Sequence, residues 1–282
     1  MVALNSVTIV MDLVAVLVAV IFASRRGLRI PAWTVVLPMW VASGLLAPIA
    51  VTLPVTLATL ADGADDPLPL QPWVRPIVYG GFTLQALTLG IGFALYAATR
   101  WGPPRVRSGD DETAGGPTDQ VDDSPLSISL TENLRRMLTQ LTFGAGAVAG
   151  IVAVHGLVHA WFFAEADTVT MMIAQGLVQT VQALFVVAGV VGVSLLVRTA
   201  GTVPDRRMAR LAPVIAAWFG TGAMFAWGLW GLINVVGSSA LTADAPASPI
   251  LDHLLVAQTL AGLALGLAGL FALVSSRRRP LQ

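Results

Sequence analysis

Seven apolar stretches divide the chain, at Val7–Ser24, Trp33–Leu60, Ile77–Thr99, Leu141–Phe163, Val169–Val197, Leu211–Val236 and Leu251–Val274. Each approaches or exceeds the roughly 20 apolar residues with which a helix crosses a bilayer's ~30 Å hydrocarbon core, the first being the shortest. Hydrocarbon offers no water to stray backbone groups, so a spanning segment is a helix or a strand of a closed barrel. Continuous apolar runs without two-residue alternation select helices. Hydrophobic residues make up 56% of the chain and charged ones 11%, with mean hydropathy +0.78, which excludes an ordinary water-soluble domain. The expected fold is an all-α integral membrane protein of seven transmembrane helices in a lipid bilayer.

The arginines give the expected orientation. Arg25, Arg26 and Arg29 follow the first span; Arg100, Arg105, Arg107, Arg135 and Arg136 lie between the third and fourth. Arg198, Arg206, Arg207 and Arg210 separate the fifth from the sixth, Arg277, Arg278 and Arg279 follow the seventh, and Arg75 alone is on the other side. The positive-inside rule makes every second gap cytoplasmic, placing the N-terminus out and the C-terminus in. The opposite loops are short and acidic, with Asp62, Asp65, Asp66, Glu165, Asp167 and Asp244. Trp33, Trp73, Trp101 and Trp161 stand at span ends, where indoles anchor to the interface. The first stretch lacks a basic segment before it and a small-residue cleavage site after it, so it reads as a retained helix and not a signal peptide. An Ala-, Val-, Gly- and Arg-rich chain without lysine points to a GC-rich genome, hence the plasma membrane of a bacterium or archaeon.

Residues 1–100 are thus expected to hold the first three spans and 141–275 the last four, with a cytoplasmic tail at 276–282. Between them, 101–128 has the Gly, Pro, Asp, Ser and Thr content of a disordered cytoplasmic linker, concentrated in Gly102–Pro125. Residues 129–140 follow as an amphipathic lead-in. Ser129 and Glu132 have capping-box spacing, and Leu130, Leu134, Met137 and Leu141 share a face beside Arg135 and Arg136.

Several chemistries are excluded by residue type. There is no cysteine, so disulfides, thiolate-held metals and thioether-linked haem are ruled out. Lysine is absent as well, which removes covalent retinal and lysine nucleophiles. Formal net charge is zero, which suggests no nucleic-acid partner. No phosphate-binding glycine loop and no GxSxG turn occurs.

A short motif recurs in the second, fourth and sixth spans: Trp40-Val-Ala-Ser-Gly44, Thr142-Phe-Gly-Ala-Gly146 and Trp218-Phe-Gly-Thr-Gly222. The third, fifth and seventh carry Gln85-Ala-Leu87, Gln182-Ala-Leu184 and Gln258-Thr-Leu260. Together these describe one lead helix followed by three helical hairpins. The glycines allow close helix approach where lipid supplies no hydrophobic drive to association. The second span also contains Pro38, Pro48 and Pro54, each removing a helix hydrogen bond.

Polar groups at membrane depth are the candidate site. Asp12 in the first span, His155 and His159 in the fourth, Gln175, Gln179 and Gln182 in the fifth, and Gln258 in the seventh fall in the expected outer half, with Gln85 nearby in depth. A buried carboxylate costs at least about 2.5–3.5 kcal/mol near the bilayer centre, so Asp12 needs a partner, for which His155 is the nominee. Three readings follow. One is an outward-facing cavity in which Asp12, His155, Gln85, Gln175, Gln179, Gln182 and Gln258 bind or transport a small polar solute or ion. A second is a metal-dependent membrane enzyme using His155, His159, His253 and Asp252, since two histidines at i,i+4 with a third from another helix leave one coordination position for water. The third is a structural or assembly subunit, with membrane-protein partners or a second copy, whose polar groups only hydrogen-bond between helices. No catalytic residue is assigned. Trp227 and Trp230 read as core packing, with a pocket wall as the alternative.

Overall fold

A computed structural model describes residues 2–61, 73–101, 125–163, 169–199, 207–241 and 249–277. Among these the chain is helical: α1 (Val2–Ala23), α2 (Trp33–Ala61), α3 (Val74–Trp101), α4 (Pro125–Val158), α5 (Val169–Arg198), α6 (Arg207–Leu241) and α7 (Pro249–Arg277). A 3-10 turn at Arg25–Arg29 joins α1 to α2, and a π turn at His159–Phe163 ends α4. The six helices from α2 to α7 are long and apolar enough to cross a membrane, whereas α1 offers a shorter apolar segment, Ile9–Ala23. This is the architecture of a polytopic membrane protein. Its surface is apolar, with Phe143 81%, Phe162 78% and Ile151 66% exposed, the inverse of a water-soluble protein.

The expected lead-in at 129–140 is continuous with the span after it, since α4 runs unbroken from Pro125. Glu132 and Arg136 pair at i,i+4 over 2.8 Å on this exposed stretch. The expected linker between α3 and α4 lies, from 102 to 124, outside the described residues.

α6 is the hub. It packs against α2, α5 and α7, and Gly220–Met224 are five consecutive buried residues, so the helix is enclosed on every side there. Small residues make this enclosure feasible. A Cβ on Gly220 would overlap the backbone of Gly189 on α5, and one on Gly44 would overlap the backbone of Gly222, so these helices touch main chain to main chain. α4 closes the far side against α5 and α7, while α3 and α1 attach to α2. The buried threonines Thr52, Thr142, Thr221 and Thr259 each donate to the carbonyl four residues back, which satisfies their hydroxyls without a partner helix.

Two copies of the recurring motif meet. Trp40 Nε1 donates to Thr221 Oγ1 at 3.1 Å, and Trp218 Nε1 donates to Ser43 Oγ at 2.8 Å. Each tryptophan therefore bonds the hydroxyl three positions after the other, and the two following glycines, Gly44 and Gly222, pack face to face. This is a local two-fold relation between α2 and α6. Trp40 also stacks on Phe225 at 5.0 Å and Trp218 on Phe93 at 5.4 Å, extending the joint to α3. The α4 copy takes no part: its Phe143 is exposed and Gly146 packs on Val190.

Apart from Arg75 in the first turn of α3, the arginines of the described helices gather at one end, called here the basic end. Tyr96 on α3 donates to the Gly27 carbonyl of the 3-10 turn at 3.2 Å and accepts from Arg100, while Phe22 of α1 packs on Phe93 and Tyr96. Ser24 Oγ caps the turn by accepting from Gly27 N at 3.0 Å. On the other side Arg135 of α4 donates to the Arg198 carbonyl at the end of α5, 3.4 Å away. The end of α3, the start of α4 and the end of α5 thus share the basic end with the α1–α2 junction, as the arginine alternation requires.

Candidate functional site

In the half of the bundle away from the basic end, α4, α5, α6 and α7 enclose a small cleft. Its lining includes Gln179 and Gln182 of α5, Gln258 of α7 and Trp227 of α6, set among Ala149, Ala153, Ala223 and Met224. Gln179 and Gln182 are three apart and Gln182 belongs to the recurring Gln-Ala-Leu motif, as Gln258 does to Gln-Thr-Leu; helix geometry turns both copies inward. Gly156 makes room on α4, because a Cβ there would overlap the Gln179 amide. Gln179 therefore lies directly across the α4 backbone.

The polar side chains that line this cleft are uncommitted. The indole Nε1 of Trp227 is buried and has no partner. Among the described residues, the side chains of Gln179, Gln182 and Gln258 make no hydrogen bond. An unpaired buried donor costs about 1–3 kcal/mol, and the Trp227 N–H bears that cost, while the three glutamines are only half-buried. The room for solvent centres is about 20 Å³, enough for a water, which needs about 10–15 Å³. Among the described residues no charged one lines it. Replacing Trp227 by Phe removes the unpaired N–H while keeping an aromatic wall, so Trp227→Phe is expected to leave the ligand-free protein as stable or up to about 1 kcal/mol more stable. Thermal unfolding in detergent measures this.

Three of the expected site residues thus converge: Gln179, Gln182 and Gln258. The others lie elsewhere. Gln175 is exposed one turn toward the start of α5, and Gln85 is on α3, which packs on α2 and α1. Asp12 is exposed on α1 among Ile9, Leu13 and Leu17, on a helix held by α2 and α3. His155 and His159 are exposed with their rings stacked 6.2 Å apart, on the α4 face that also carries Ile151 and Phe162. His253 is exposed and Asp252 half-buried in the first turns of α7. Among the described residues no three of His, Asp and Glu are grouped to hold a metal ion.

The i,i+4 spacing of His155 and His159 places them on one face but says nothing about which way that face points. A signal for the direction was present: Ala145, Ala149, Val152, Ala153 and Gly156 form a small-residue stripe on the other side of α4, and small residues mark helix contacts. Trp227 lines the cleft, which agrees with the pocket-wall alternative and not with the core packing first expected of it. The π turn after α4 has a visible effect, since Trp161 within it lies over Gly176 and donates to Thr180 Oγ1 at 3.3 Å, fastening the cleft's open end to α5. π turns often occur beside functional sites.

No family model, no curated protein and no solved structure matches this chain.

Proposed function

We propose that the chain is a membrane protein that binds and conducts a small neutral solute at the amide cleft, with the basic end cytoplasmic, the N-terminus outside and α1 as a seventh crossing. One observation carries the reading: Trp227, whose buried indole N–H has no partner among the described residues, lines the same cleft as three glutamines whose side chains make no hydrogen bond. An N–H in want of an acceptor calls for a carbonyl or hydroxyl oxygen, and amides both donate and accept. Without a charged lining residue an ion would enter uncompensated, at a cost of several kcal/mol, so a neutral ligand fits the chemistry better.

Small amides such as acetamide supply a carbonyl acceptor and N–H donors of the right polarity. The space present holds about one water. Solute entry therefore requires α4 to move from α5 and α7, and the Gly156–Gln179 contact is where that separation begins. A scaffold role would instead leave the four groups paired with one another. The test is the indole resonance of Trp227 in nitrogen-15-labelled protein, assigned by its loss in Trp227→Phe. Added acetamide is expected to shift it, and Gln179→Leu to abolish the shift; an unmoved resonance at saturating acetamide contradicts the reading.

A further inference from the structure

A second cavity, apolar and much larger, lies toward the basic end. It is a groove of about 320 Å³, within the size range of ligand pockets, between α2 and α7 where both pack on α6. Its floor is buried, with Val193 and Leu265 0% exposed and Ala217 and Thr221 nearly so. Its rim, Trp33 and Leu37 on α2 and Leu267 and Leu270 on α7, is exposed and opens sideways. Polar lining is almost absent, and the one buried hydroxyl, Thr221, is committed to Trp40 and to the Ala217 carbonyl.

Three features identify what fits. Along α7 the groove runs from Leu263 to Leu273, eleven residues whose ends are about 15 Å apart at ~1.5 Å per step, half the ~30 Å hydrocarbon core and thus one leaflet deep. A volume of about 320 Å³ spread over about 15 Å is a mean section of roughly 20 Å², well under the roughly 80 Å² of a helix 10 Å across, so a helix of a second copy does not seat in it. Its two ends differ. Trp33 stands exposed at the mouth, four residues after the exposed Arg29, as at a headgroup interface. Further in, Trp40 blocks the gap: its indole reaches across to α7, where a Cβ on Gly266 would come within 2.9 Å of its ring.

We propose that this groove seats one acyl chain of an anionic phospholipid from the leaflet at the basic end, with the headgroup at Arg29 and Trp33 and the chain terminus against Trp40. The interior is chemically suited to methylenes and to nothing polar. The exposed guanidinium supplies the charge complement, and the depth matches one chain rather than a spanning ligand. This binding is independent of the amide cleft, which lies beyond Met224 on the same helix.

Gly269 is the position from which to fill the groove. A Cβ there meets only Val193 and Leu196 methyl groups at 3.4 and 3.9 Å, ordinary contact, so a leucine side chain has the groove as its free space. Gly90 on α3, with nothing within 4 Å of a Cβ, is the control. The full chain is purified in detergent, stripped of lipid and titrated with phosphatidylglycerol or phosphatidylcholine of equal chains, with bound lipid counted by native mass spectrometry. Wild type and Gly90→Leu are expected to hold one lipid, phosphatidylglycerol about fivefold more tightly for a single arginine at the surface. Gly269→Leu is expected to lose at least tenfold, and Val214→Phe, which enters the groove from α6, to lose as much should Gly269→Leu not fold. Equal retention in the filled variants and Gly90→Leu, meaning annular lipid only, overturns the proposal, as does a lipid-free wild-type dimer.

Discussion

Gly44→Leu is expected to separate α2 from α6 and to leave little folded protein. The added side chain meets the Gly222 main chain and not a flexible side chain, so no rotamer change relieves the overlap. Overpacking typically costs about 1–3 kcal/mol and more where backbone must shift, and here the whole α1–α3 group depends on the joint, because α3 and α1 reach the rest of the bundle mainly through α2. We expect a loss of about 3 kcal/mol or more, comparable to a large share of a domain's net stability. The measurement is the monodisperse yield and unfolding midpoint in detergent. Gly81→Leu, on open lipid-facing surface of α3, is expected to match wild type.

Trp40→Ala carries the second largest expected effect, and it divides packing from hydrogen bonding. The side chain stacks on Phe225, closes against Gly266 and donates to Thr221. Truncating a buried Trp to Ala costs about 3–5 kcal/mol through the cavity it leaves. The hydrogen bond contributes about 0.6 kcal/mol in a membrane interior, and Thr221 keeps its own bond to the Ala217 carbonyl. Trp40→Phe should therefore recover most of the stability lost in Trp40→Ala. Parity between the two variants in unfolding midpoint would mean that the hydrogen bond and not the ring holds the joint.

Six of the seven expected spans coincide with helices long and apolar enough to cross a membrane, because length and polarity are local properties of the sequence. The helix ends matched within a few residues in α2, where Trp33 begins both the apolar run and the helix. The first stretch was less secure. Its apolar part within the described residues, Ile9–Ala23, is shorter than the others, and Asp12 interrupts its exposed face.

Pairing between helices was legible only in part. The recurring Trp-x-x-(Ser/Thr)-Gly pattern marked two segments that do meet, yet nothing in one strand of sequence states that α2 bonds α6 while the α4 copy, with Thr142 in place of the tryptophan, stands apart. The missing indole is the physical reason, since the reciprocal contact needs a donor on each side. For the site, depth alone grouped Asp12, three histidines and five glutamines. Azimuth then divided them, turning Gln179, Gln182 and Gln258 into the cleft and His155 and His159 outward, and azimuth depends on which neighbours each helix has.

The most direct measurement is acetamide flux into proteoliposomes, followed by light scattering after a concentration jump. Wild type is expected to run several-fold faster than protein-free vesicles, with Gln179→Leu and Gln258→Leu at the protein-free rate and His155→Ala unchanged. A wild-type rate equal to that of empty vesicles, or glutamine variants as fast as wild type, would contradict the account.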